Sequence, residues 1–261
     1  MTEREAEIAQ YHIYRTVRVL DDSKPIIKTF MTSLNGVNST GRESLMAFSI
    51  LERIYYNILS ASPLAKELMF NQNIAVPLSQ IFRSIVYEIV ISYWLLEGNF
   101  TEKIAKLNHD FVKKGYNKLK ADNLIADKAV LQKLFAGWEG TAPENFTRNA
   151  TGELAMNSAI KSITFTSICE ELTQSGHDLK SLTAAYIVLS QQAHLSEFSR
   201  RMIYEKHTNN ASLFDFVTWS LIRTSIMLIS KIDASSAAIA NLHLILENFP
   251  DHEQKMSGSQ V

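Results

Sequence analysis

Apolar residues recur along most of this chain at intervals of three and four, the spacing that lines one face of an α-helix. Ile8, Tyr11, Val17 and Leu20 predict a first helix over residues 3–19. Asp21, Asp22 and Ser23 interrupt it, and Pro25, tolerated in a first turn, opens a short helix to Leu34. Asn35, Gly36 and Asn38 to Gly41 predict a loop. Leu45, Phe48, Leu51, Ile54, Tyr55 and Ile58 mark a further long helix, broken at residues 60–63, with a short helical piece over residues 64–70.

Residues 77–96 predict a helix apolar on nearly every face, which belongs at the centre of a bundle. Gly98 follows in the position that favours a left-handed cap. The next helix runs from Thr101 to about Lys120, and Lys103, Lys106, Lys113, Lys114, Lys118 and Lys120 mark it as surface-facing. A short helix is expected over residues 127–135. Residues 137–152 have no helical period and read as a long loop within one domain. Helices follow near residues 153–173, 178–206, 212–231 and 235–249. Ser212 with Asp215 resembles a capping box, and Asp233 is placed to cap the last helix. The expected fold is therefore all-α: a single-domain helical bundle of about seven main helices over residues 1–250, with a disordered tail at 251–261.

Composition supports that expectation and narrows the function. Nine Gly and five Pro are few for a chain of hairpins. A formal net charge of −1 supplies no global field toward nucleic acid or anionic lipid, so an RNA role needs a local basic patch. The single cysteine, Cys169, lies in an apolar helical pattern and reads as a small buried residue. Residues 1–15 are charged early and lack a signal-peptide core. The two most apolar stretches, 85–96 and 216–229, carry or abut Glu88 and Arg223 and read as core helices rather than membrane spans. A cytoplasmic chain with no membrane partner is the expectation.

Metal sites are not indicated. Neither Glu-x-x-His nor His-Glu-x-x-His occurs, and His109-Asp110, set among lysines, reads as an exposed solvated pair. No Gly-rich phosphate loop is present, and no cofactor is expected. Three polar constellations carry the candidate chemistry. Tyr186, Ser190 and His194 follow at intervals of four on a mostly apolar helix, continued by Glu197 and Arg201. This stripe is either a hydrogen-bond network holding helices in register or a proton-transfer site centred on His194. Arg83 and Glu88, on the most apolar helix, are costly to bury alone, and one or the other is expected to meet that stripe. Arg200, Arg201 and His207 end the same stretch. An Arg with a His there either forms a solvated helix end or binds a phosphate and moves a proton, as cleavage of RNA through its 2′-hydroxyl requires.

The segments RSIVYEIVISYWL and YIVLSQQAHLSEFSRR resemble an uncharacterised family of bacterial all-helical proteins that is similar in turn to the HEPN superfamily. The likeness covers roughly residues 45–230. It implies a HEPN-like bundle and, for many members, a dimeric metal-independent RNase of toxin or antiphage defence systems. The family's Arg-x4-6-His motif falls on Arg201 and His207. Arg83, Glu88, Tyr186, Ser190 and His194 carry over as the shared polar set, with His194 and Glu88 as a second acid–base pair and Arg200 as a binding residue. The expected function is thus RNA cleavage or binding. The alternative is a non-catalytic helical module that regulates a protein partner.

Overall fold

The computed structural model describes residues 2–34, 41–122, 127–193 and 207–249. Among them are nine helices: α1 (Glu3–Ser33), α2 (Arg42–Leu68), α3 (Ala75–Leu96), α4 (Phe100–Ala121), α5 (Lys128–Thr141), α6 (Phe165–Gln174), α7 (Lys180–Ala193), α8 (His207–Ile232) and α9 (Ala237–Asn248). Two three-residue strands, β1 (Phe146–Arg148) and β2 (Leu154–Met156), form an antiparallel hairpin with Thr147 opposite Ala155. The chain is essentially all-α. Its internal contacts divide it into two compact units, one of Met1–Tyr93 with Gly176–Val261 and one of Trp94–Ser175.

In the first unit α1 packs along α8 and α2, α2 also packs on α8, and α9 covers α1 and α8. Leu20, Ile27, Leu51, Ile54, Ile58, Phe82, Ile85, Ile89 and Phe214 are fully buried there. The Phe82 and Phe214 rings meet at 4.8 Å. The second unit has its own small core of Val112, Phe135, Phe146 and Leu154, bordered by Tyr116, Leu131, Trp138 and Met156. Trp138 packs against α4 at Gly115, at ordinary contact distance.

Several boundaries differ from the periodic reading, each for a packing reason. The first helix does not stop at Asp21–Ser23. It runs through Pro25, losing one backbone bond, because Ile27 and Phe30 beyond the proline are buried. The second likewise continues through Pro63, with Ala61, Ala65 and Leu68 buried about it. Residues 137–141 extend α5, since Trp138 belongs to the small core.

Residues 153–164 are not helical: Leu154 joins the hairpin, and Gln132 binds both its N–H and its carbonyl at 2.9 Å. Ser212 and Asp215 lie inside α8 rather than at its start. Ser236, not Asp233, caps α9, while Asp233 accepts from Ser235. Gly98 follows α3 at φ 76°, in the left-handed region expected of it.

By length and composition alone, Gln72–Leu96 and Asn210–Ile232 are each sufficient to cross a bilayer, although 56% of each apolar window is buried within the protein. The charges within them also have protein partners, as follows.

Candidate functional site

Two regions concentrate chemistry, one in each unit. In the first, α1 and α8 enclose a group of charges in an apolar interface. Asp215, 2% exposed, faces α1 between Phe214 and Phe216. His12 Nδ1 lies 2.6 Å from its Oδ2, and Arg15 Nε lies 2.7 Å from its Oδ1. The Arg15 contact is an ion pair rather than an aligned hydrogen bond. His12, Arg15 and Thr16 share one side of α1 because they are three and four residues apart. One helical turn beyond His12 and Asp215, Thr16 Oγ1 and Trp219 Nε1 are buried without a hydrogen-bond partner among the described residues. A carboxylate on Nδ1 fixes the imidazole's orientation, as in proton-transfer sites, yet with the buried Arg15 it equally clamps two helices.

Glu88 is 1% exposed on α3 and pairs with Arg53 of α2, whose side chain is 63% exposed. Burial pushes the Glu88 carboxyl up, and Arg53 opposes that without cancelling it. Arg83 turns elsewhere. Its Nη2 donates to the Tyr186 hydroxyl at 3.3 Å, with the guanidinium 5.3 Å from that ring. Ser190 donates to the Tyr186 carbonyl at 2.6 Å, within α7.

The structure therefore brings Arg83 to Tyr186, while Glu88 is engaged by Arg53. His194, Arg200 and Arg201 lie outside the described residues, and so does the side chain of His207, the first residue of α8. His12, Arg15 and Asp215 went unrecognised in the sequence. The signal for Asp215 was a lone carboxylate among Phe214, Phe216 and Val217, which a local capping pattern masked.

At the edge of the same unit, Asp21 Oδ1 accepts from Lys24 and Ser62 at 2.5 Å each, and Oδ2 meets Lys66 at 2.7 Å. Burial alone would raise this carboxyl, but the hydrogen bonds from Lys24, Lys66 and Ser62 outweigh it and hold it at about 2.

No family model, no curated protein and no solved structure matches the chain. Geometry must therefore carry the functional argument. Among the described residues no group of three or more His, Cys, Asp or Glu is placed to hold a metal ion. His109 is not the exposed pair partner expected of it: it is 5% exposed on the inner side of α4, its Nδ1 has no hydrogen-bond partner among the described residues, and Asp110 pairs with Lys114 at 2.6 Å.

The second region is α4 itself, in the second unit. Its first turns keep their cations at home. Lys103 closes the end of α3, donating to the Trp94 carbonyl at 2.6 Å and to the Glu97 carbonyl, with its Nζ 5.1 Å from the Trp94 ring centre. Burial holds this amine below the usual lysine range. Trp94 Nε1 in turn donates to Glu171 at 2.5 Å. Lys106 pairs with Glu102 at 2.9 Å.

Residues 111–121 differ: they contain four lysines and no carboxylate. Val112 points to the small core, which fixes the helix rotation and turns Phe111, Lys113, Lys114, Lys118 and Lys120 outward. Phe111 is 71% exposed among them. Lys114 and Lys118, three and seven residues on, share Phe111's side of the helix, whereas Lys113 and Lys120 fall on the far side. A solvated ring beside two ammonium groups suits stacking of a base with a phosphate alongside.

Proposed function

We propose that this chain binds single-stranded RNA along the outer face of α4. The observation that carries the reading is Phe111, 71% exposed on a stretch of about three turns, with Lys114 and Lys118 on its own side of the helix. The overall charge of −1 does not argue against it, because Lys114 and Lys118 stand on the same side of α4 as the ring. Phe111 supplies a surface for a base, and Lys114 and Lys118, on the same side of the helix, supply positive charge to the strand. Because stacking accepts any base, the expected preference is for an unpaired strand rather than a particular sequence.

The resemblance to HEPN proteins supports the same substrate class and adds a cleavage step. In that form of the reading Arg201 stabilises the pentavalent phosphate and His207 moves the proton. The protein is then a cytoplasmic RNase of a toxin or defence system.

Fluorescence anisotropy with a labelled single-stranded RNA tests the proposal. Two phosphate contacts predict a slope of about −1.4 in log affinity against log salt. Phe111→Ala is expected to weaken binding by roughly 5- to 100-fold, the range for loss of one stacked base. Lys114→Glu with Lys118→Glu is expected to abolish it. Integrity of the strand in the same mixtures reports cleavage, which the pair Arg201→Ala, His207→Ala would remove while leaving binding intact. Binding that ignores salt and survives Phe111→Ala would sink the interface.

A further inference from the structure

In the first unit, a groove of about 630 Å³ runs between the first half of α1 and the C-terminal end of α2. Its floor is small and apolar, with Ala6, Ala9, Ile13 and Leu68, and its rim carries Tyr14, Met69 and Phe70. Phe70 is 85% exposed, while Met69 is 47% and Tyr14 is 48% exposed. Single exposed apolar residues need no explanation, but three of them around one groove mark an interaction surface.

The charge beside the groove selects the partner. Glu7 lines it, and Glu3 stands one turn earlier on the same side of α1, both exposed. Neither is paired with a cation among the described residues. Glu5 is used elsewhere, in the capping box with Thr2. Lys66, two residues before Leu68, is drawn away to Asp21 at 2.7 Å. Glu3 and Glu7 therefore place two carboxylates beside the apolar trough, against the one nearby cation of Arg4. From Ala6 to Tyr14 the trough extends about 12 Å, the length of two helical turns.

We infer that this groove docks a basic amphipathic helix of a protein partner. Apolar side chains at i, i+3 or i+4 and i+7 of that helix enter between Tyr14 and Phe70, and its lysines or arginines lie along Glu3 and Glu7. Ala6 and Ala9 let the incoming backbone approach. The groove and the α4 face share no residue, so this interaction stands independently of RNA binding.

The test uses the full chain and two synthetic 15-residue amphipathic helices, one of Leu and Lys and one of Leu and Glu in the same pattern. The Leu/Lys peptide is expected to bind saturably at one site per chain, and the Leu/Glu peptide not at all. Phe70→Ser, at a side chain already in solvent, leaves the urea midpoint in place and weakens the Leu/Lys peptide at least tenfold. Glu7→Lys weakens it several-fold and restores some binding of the Leu/Glu peptide. Equal binding of the two peptides, or affinity unmoved by Phe70→Ser, would overturn the inference. So would a wild-type dimer in sedimentation equilibrium that Phe70→Ser converts to monomer, because the groove would then belong to a second copy.

Discussion

Asp21 and Glu88 are both carboxylates that meet a cation across a helix interface, yet their proton affinities move in opposite directions. Asp21 sits half-buried at an edge where Lys24, Lys66 and Ser62 all donate to it, and it is held at about 2. Glu88 sits inside the bundle with Arg53, whose own side chain is largely in water, and burial pushes its carboxyl upward. Desolvation opposes the charged form at both sites. What differs is the number of donors supplied against it. One half-solvated arginine is not enough, and two lysines with a hydroxyl are more than enough. Asp215, with Arg15 and His12 on separate oxygens, shows how a fully buried carboxylate is accommodated on an apolar helix.

Removing Asp215 should produce the largest effect on stability. Asp215→Ala removes, between α1 and α8, the buried carboxylate that meets both His12 and Arg15, itself 3% exposed. A loss of about 3 to 5 kcal/mol is expected, enough to consume much of a typical domain's stability. Urea denaturation measures it directly. A midpoint close to that of the wild type would mean that water already reaches this group, and the contrast with Glu88 would lose its basis.

These cases also mark where the sequence could be read and where it could not. The inward stripes of α1 to α3 and the outward lysines in the second half of α4 were legible, because helical periodicity encodes burial directly, whereas Lys103, expected at the surface, turns onto the end of α3. Gly98 was legible because few other residues accept its backbone angle. The continuation of α1 through Pro25 and of α2 through Pro63 was not. Local chemistry favours a break there, and burial of Ile27, Phe30 and Leu68, a tertiary effect, overrides it.

Asp215 was taken for a cap because Ser212 precedes it at the right spacing, and nothing local reports that Arg15, two hundred residues away, faces it. His109 looked solvated because lysines surround it in the sequence, yet it is 5% exposed, a tertiary effect that local composition does not report. The Arg83–Tyr186 contact was foreseeable from the rule that polar groups on greasy helices find partners. The pairing of Glu88 with Arg53, which belongs to a helix outside the expected stripe, was not.

A smaller effect is expected at Asp21. Its folded value of about 2 lies below the ordinary 3.8, so the stability it contributes is present above 3.8 and is lost as pH falls toward 2. After discounting for solvent screening at this open site, Asp21→Asn should cost about 1 kcal/mol at pH 7. Thermal melts from pH 6 down to pH 2 should show the wild type and variant converging. Molar salt should narrow the gap at pH 7, since the lysines are partly exposed. A gap that persists unchanged at pH 2 would mean that Asn fails for steric rather than electrostatic reasons.

Glu88 should give the smallest change, with the opposite sign. Its folded value is above the ordinary 4.5, so the folded chain holds this proton more tightly than the unfolded chain does. The associated stability is fully present below 4.5 and declines as pH rises through the folded value. Glu88→Gln retains an acceptor for Arg53 and removes the charge that burial penalises. At pH 5 the two proteins should be nearly equal; by pH 8 the variant should match or exceed the wild type, by no more than about 1 kcal/mol. Because other groups also titrate, the quantity to follow is the difference between the two urea midpoints across that range. If the wild type instead gained on the variant as pH rose, Arg53 would outweigh burial after all. The two carboxylates would then differ only in degree.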